Sequence, residues 1–146
     1  MNEPLSKVLV SLEALVILAP LTLLAAVYLV FMAAFHWEMH DLVPWHGYFV
    51  PFLAVAAFVC LLCLWKAVLV FVFQGRAGLA QVDRKFVMAI CSGASLALFG
   101  VACILSVQWF ELPNIFQAFG IHAYGAPALV PAVHLAFERH HSAQQC

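Results

Sequence analysis

Two ionisable residues sit inside long apolar runs, Glu13 and Lys66, and they are the first candidates for chemistry in this chain. A lone charge at the centre of a bilayer costs at least about 2.5–3.5 kcal/mol, so such residues pair, snorkel or line a pathway. Glu13 lies roughly 7.5 Å into its run and Lys66 roughly 10.5 Å from the end of its own, at 1.5 Å per helical residue. Those depths agree within the length of a lysine side chain, which makes the two a possible intramembrane ion pair. The competing reading lets residues 14–35 cross without Glu13 and lets Lys66 snorkel to the interface.

Histidines come next. His36 and His40 are spaced i, i+4, which places both imidazoles on one helical face, where Asp41 or His46 would complete a zinc or copper site. In His36-Trp37-Glu38-Met39-His40 the acid lies midway between the histidines and points off their face, so this is not the metalloprotease pattern. Polar interfacial histidines are the plainer reading, and no metal is assigned. A haem held between two helices needs axial histidines at matched depth. His122 has such partners only in His36, His40 and His46, and His134 has no embedded histidine opposite it. His122 is therefore a possible ligand residue, and no cofactor is expected.

Cys60-Leu61-Leu62-Cys63 has redox spacing, but both thiols fall in mid-run, where desolvation disfavours a thiolate, so they read as small packing residues. The odd total of five cysteines does not suggest a disulfide framework. No paired carboxylates, phosphate loop or Ser, His and acid grouping is legible along the chain, and an enzyme is not expected.

The elements that must position these residues are four apolar stretches, residues 8–35, 48–73, 86–110 and 115–137. A bilayer core of about 30 Å takes about 20 apolar residues, so each is long enough to cross. With 66% hydrophobic and 9% charged residues, the composition excludes a soluble globule and a nucleic-acid binder. The expected fold is all-α: a polytopic membrane protein, one domain over residues 1–146, with four transmembrane helices in a bundle. Lys7, Arg76, Arg84, Lys85 and Arg139 fall on one side, whereas the opposite loops contain no Lys or Arg. The positive-inside rule then predicts both termini in the cytoplasm and the inner (plasma) membrane as location. Residues 8–35 are too long for a secretory h-region, so uncleaved insertion is expected.

Ala89, Gly93, Ala97, Gly100 and Cys103 recur every three or four residues and share one helical face, which lets another helix approach closely. Packing within the bundle is the first reading of this stripe, with self-association or a partner helix as the second. The fourth stretch is interrupted by Gly120, Gly125, Pro127 and Pro131, which predicts a kinked or locally unwound helix. Asp83 is placed to cap the third helix. Trp37, Trp45 and Tyr48 give the loop after the first stretch an interfacial, aromatic character.

The second stretch, the short basic loop ending Val82-Asp83-Arg84 and the third stretch together resemble a bacterial family of uncharacterised four-span inner-membrane proteins. In size and span count the chain is also similar to immunity proteins that protect bacteria from pore-forming toxins. These resemblances imply no catalytic residues. The leading expectation is a non-enzymatic bundle, resident in the lipid bilayer, that binds another membrane protein or itself as an accessory, regulatory or immunity subunit. The alternative is an oligomeric small-solute or ion carrier or channel lined by Glu13, Lys66 and the broken fourth stretch. A haem or metal redox protein is third.

Overall fold

The computed structural model describes the backbone of residues 3–38, 49–110 and 121–143, and among these residues every element is helical. Helix α1 (Glu3–Glu13) runs through a π-helical turn (Ala14–Leu18) into α2 (Ala19–Glu38). Helix α3 covers Phe49–Ala80 and α4 covers Arg84–Phe110. A 3-10 helix (Ile121–Ala128) then leads into α5 (Leu129–Ala143). Three segments are long and apolar enough to span a membrane: Glu3–Phe35, Pro51–Ala80 and Arg84–Leu105. The chain is thus an all-helical membrane protein with three long apolar helices and a shorter, broken one. Of the four expected stretches, the last differs most, because 3-10 geometry replaces α-helix over the part holding Gly125 and Pro127.

The π turn has a direct cause in the sequence. Pro20 has no N–H to give the carbonyl of Val16, so the ladder must be interrupted just before it. The chain widens by one residue, and the Ala19 N–H donates to the Ala14 carbonyl. The widened turn follows Glu13 directly. The inward stripe of the first helix, Ser6, Val10, Ala14 and Leu18, is buried throughout.

A second break lies in α3, where Gly75 adopts φ 72° and ψ −159°. That left-handed φ favours glycine, and a Cβ there would run into the Glu3 carboxylate and stand 3.2 Å from Lys7 Nζ. The break turns the last residues of α3 across the start of α1. The chain reverses just beyond: the Gln81 N–H donates to the Gly78 carbonyl at 3.1 Å, and the Val82 N–H to the Leu79 carbonyl at 3.3 Å. Asp83 then caps α4, its Oδ1 accepting from the Lys85 N–H at 3.1 Å.

The tightest packing is a cluster of Val10, Ala14 and Leu18 from the first helix, Leu64, Ala67, Val68, Phe71 and Leu79 from α3, and Leu135 from α5. Outward faces stay apolar: Leu15, Leu23, Val30, Phe73, Met88 and Phe137 are all strongly exposed. On a soluble protein such a surface would aggregate; here it is the surface that lipid covers. Between α2 and α3 the Trp65 indole N–H donates to Thr22 Oγ1 at 2.9 Å, while the Thr22 hydroxyl donates to the Leu18 carbonyl at 2.6 Å.

Candidate functional site

The start of α1, the end of α3 and the end of α5 meet at one end of the bundle, around a ladder of five polar side chains. Ser6 Oγ is at its centre and is fully buried. It donates to Glu138 Oε1 at 2.7 Å and lies 3.1 Å from His134 Nε2. Glu138, only 3% exposed, accepts at its other oxygen from Arg76 Nε at 2.6 Å. At the opposite end, His134 Nδ1 is 3.0 Å and 3.2 Å from the two oxygens of Glu13. The order is Glu13, His134, Ser6, Glu138, Arg76.

Each element delivers its part for a local reason. His134 and Glu138 are i, i+4 on α5 and share the inward face with Pro131 and Leu135. Ser6 and Glu13 lie two turns apart on α1, and the π turn begins where Glu13 has been placed. Arg76 follows the left-handed Gly75 directly. Burial pushes the Glu138 carboxyl up, but the hydrogen bonds from Arg76 and Ser6 outweigh it and hold the group below the ordinary carboxylate range.

Glu138, paired with Arg76, accepts the Ser6 hydroxyl proton. The two ring nitrogens of His134 face Ser6 Oγ and the Glu13 carboxylate, and the tautomer sets which of these contacts the ring donates to.

The Glu13–His134–Ser6 sequence of contacts has the connectivity of a hydrolase triad, acid to Nδ1 and serine to Nε2. Two features remove that chemistry. Ser6 Oγ is inaccessible, and its proton is held by Glu138 rather than by the imidazole. Ser6 is therefore not presented as a nucleophile here.

An apolar chamber of about 320 Å³ lies elsewhere between the helices, and none of the five ladder residues lines it. Its walls include Ala25 and Tyr28 from α2, Cys60 from α3, Gly93 and Ala97 from α4, and Ala128 from the 3-10 helix. None of its lining residues is charged. Leu64 belongs both to the chamber wall and to the buried cluster.

The residues singled out from sequence fall as follows. Glu13 and Lys66 do not form the ion pair considered for them: Glu13 takes His134, and Lys66 Nζ rests 3.6 Å from the centroid of the Phe86 ring. Lys66 is on the exposed side of α3, so a cation–π contact on the next helix satisfies it better than a carboxylate inside the bundle. In the small-residue stripe Ala97, Gly100 and Cys103 are buried and Ala89 and Gly93 partly so, facing the other helices. A Cβ on Gly93 would come 2.6 Å from Cys60 Cβ, the closest approach of α3 and α4 at this level. His36 and His122 lie within helices, but their side chains are outside the described residues, as are His40 and His46 altogether. Among the described residues no three His, Cys, Asp or Glu side chains gather into a metal-binding group, and Cys60, Cys63, Cys91 and Cys103 are free thiols.

Sequence reasoning missed Ser6, Arg76 and Glu138, and it looked for a second histidine opposite His134 where the partner is an acid. The one legible hint was the i, i+4 spacing of His134 and Glu138 at the end of an apolar run.

Fold and site together define a class, a helical integral membrane protein with a buried polar ladder. No family model matches the chain, and no curated protein or solved structure matches it.

Proposed function

We propose that the chain is a small-solute carrier with four membrane crossings and both termini in the cytoplasm, in which the polar ladder is the proton-sensitive inner gate. The observation that carries this reading is the ladder itself, an ionisable network buried between three helical elements. Ionisable groups inside a membrane bundle are expensive and are retained where they serve a pathway or a proton relay. The ladder joins three separate elements, and its Glu13–His134 contact ties α5 to α1.

Chain direction supports the fourth crossing. Ser6 and Glu138 meet at the end of the bundle where α3 finishes and α4 begins, as a fourth crossing by the segment after α4 would place them. Lys7, Arg76, Arg84, Lys85 and Arg139 all belong to the ladder end, which supports its placement in the cytoplasm by the positive-inside rule. Glu13 keeps the role expected of it in a carrier, and His134 takes the place of Lys66. The small-residue stripe on α4 faces the other helices of the bundle, and binding of another membrane protein stays as the alternative reading.

The test is flux. Proteoliposomes with a trapped pH dye are challenged with small organic cations, anions and neutral compounds under a pH gradient. At least one compound moves protons with the protein present and fails to do so with Glu13→Gln. Absence of any protein-dependent proton movement across all three charge classes would overturn the carrier reading.

A further inference from the structure

The apolar chamber lies apart from the ladder, so what it holds is independent of the carrier reading. Small residues open it. Ala25 of α2, Ala54 and Ala57 of α3, Ala94 and Ala97 of α4 and Ala132 of α5 all line its walls. In a membrane bundle small side chains ordinarily let helix backbones close on one another. At Gly93 they do, where an added Cβ would stand 2.6 Å from Cys60 Cβ. Around that contact the helices stay apart and leave about 320 Å³.

A space of this size left empty forfeits dispersion contact along all of its walls. Water does not fill such a space: an apolar cavity of about 150 Å³ stays dry and accepts benzene. By that measure about 320 Å³ has room for about two fused rings. The walls hold no charged side chain to offset the cost of an ion inside the membrane, so the occupant that fits is neutral and mostly hydrocarbon. A molecule of that kind dissolves in lipid. Leu24, a wall residue that is 65% exposed, puts one side of the chamber at the lipid-covered surface of α2.

Tyr28 adds a chemical requirement. It is the one lining residue whose side chain carries an oxygen or nitrogen atom, and its hydroxyl has no hydrogen-bond partner among the described residues. Tyr28 lies roughly 10 Å inside the spanning segment Glu3–Phe35, at 1.5 Å per helical residue. Water is scarce at that depth, and a hydroxyl left without a partner in hydrocarbon is costly. An acceptor atom on the occupant satisfies it.

We propose that the chamber is a binding site for a neutral, lipid-soluble molecule of about two fused rings that carries one hydrogen-bond acceptor, to which the Tyr28 hydroxyl donates. Binding is non-covalent, and the alanine walls set its size.

The experiment uses radiolabelled 1-tetralone, two fused rings with a carbonyl, and radiolabelled tetralin, the same rings without it. Binding to the purified full chain in mild detergent is read as the saturable component above partition into empty micelles. 1-Tetralone binds at about one per chain, and an equal concentration of 1-naphthoate, an anion of similar size, does not displace it. Tyr28→Phe weakens 1-tetralone about threefold to tenfold, the range of one hydrogen bond, and leaves tetralin unchanged. Ala97→Leu, which fills the chamber, weakens both about tenfold or more, while Leu23→Met on the exposed face of α2 alters neither. Should Ala97→Leu fail to fold, Tyr28→Phe, which adds no atom to the chamber, decides. Absence of saturable 1-tetralone binding, or its displacement by 1-naphthoate, would overturn the proposal. So would a Tyr28→Phe variant that binds 1-tetralone as the wild type does or weakens both ligands equally, since the chamber would then be a void that any lipid chain fills.

Discussion

Ser6 Oγ and Glu138 Oε1 are 2.7 Å apart although 132 residues separate them, and this single hydrogen bond joins the beginning of α1 to the end of α5. Both groups are shielded from solvent, and each has a second partner that orients it, His134 for the serine and Arg76 for the carboxylate.

Replacing Ser6 by Ala removes the hydroxyl from between two buried polar groups. Leaving a buried donor or acceptor unsatisfied costs about 1–3 kcal/mol, more than the bond itself contributes. Ser6→Ala is therefore expected to lower the thermal midpoint in detergent markedly, and Ser6→Thr, which keeps the oxygen, to lower it less.

The Arg76–Glu138 pair should behave as a unit. Breaking one side of a buried ion pair costs about 3–5 kcal/mol, because a charge is left uncompensated. Arg76→Gln and Glu138→Gln should each destabilise strongly, and the double variant by less than their sum. A double-mutant cycle in mild detergent measures the coupling, and strict additivity would contradict the geometry.

Acid dependence follows from the same carboxylate. The folded value of Glu138 lies below its unfolded one, so its contribution is fully present above the ordinary carboxylate range and is lost as pH falls through the lowered folded value. Unfolding of the wild-type protein should become easier on acidification through and below the usual carboxylate range, and Glu138→Gln should remove that part of the slope.

At the α3–α4 contact the clash is with one side chain, Cys60, and closest at its Cβ. Gly93→Ala puts a methyl against Cys60 Cβ, where overpacking costs about 1–3 kcal/mol. Adding Cys60→Gly should restore stability, whereas adding Cys60→Ala, which retains the Cβ, should not.

Trp65→Phe deletes the indole donor to Thr22 and keeps most of the apolar ring. Interhelical hydrogen bonds within membranes average only about 0.6 kcal/mol, so the expected loss is small, well below that of Ser6→Ala. Unfolding midpoints of the two variants measured side by side check the order.

Much of the fold was legible because helix formation in lipid is a local requirement. Each apolar run must satisfy its own backbone, so runs such as residues 8–35 and 86–110 announce helices without reference to one another. The inward face of α4 was legible for the same reason, since Ala97, Gly100 and Cys103 recur at helical spacing. Pro20 also acts locally, but its consequence, a π turn, was not read from the run that contains it.

The amino-acid sequence by itself determined the helices, their apolar outer faces and the clustering of Lys7, Arg76, Arg84, Lys85 and Arg139 toward one end. Only the tertiary structure decided what the ionisable groups do. Glu13 had two candidates at compatible depth, and depth carries no information about rotation around the helix axis. The packing of α1 on α3 and α5 turned Glu13 toward His134, left Lys66 on the outer face beside Phe86, and brought Arg76 round the Gly75 break onto Glu138. Which charge meets which depends on the relative rotation of helices far apart in the chain, and packing alone fixes that.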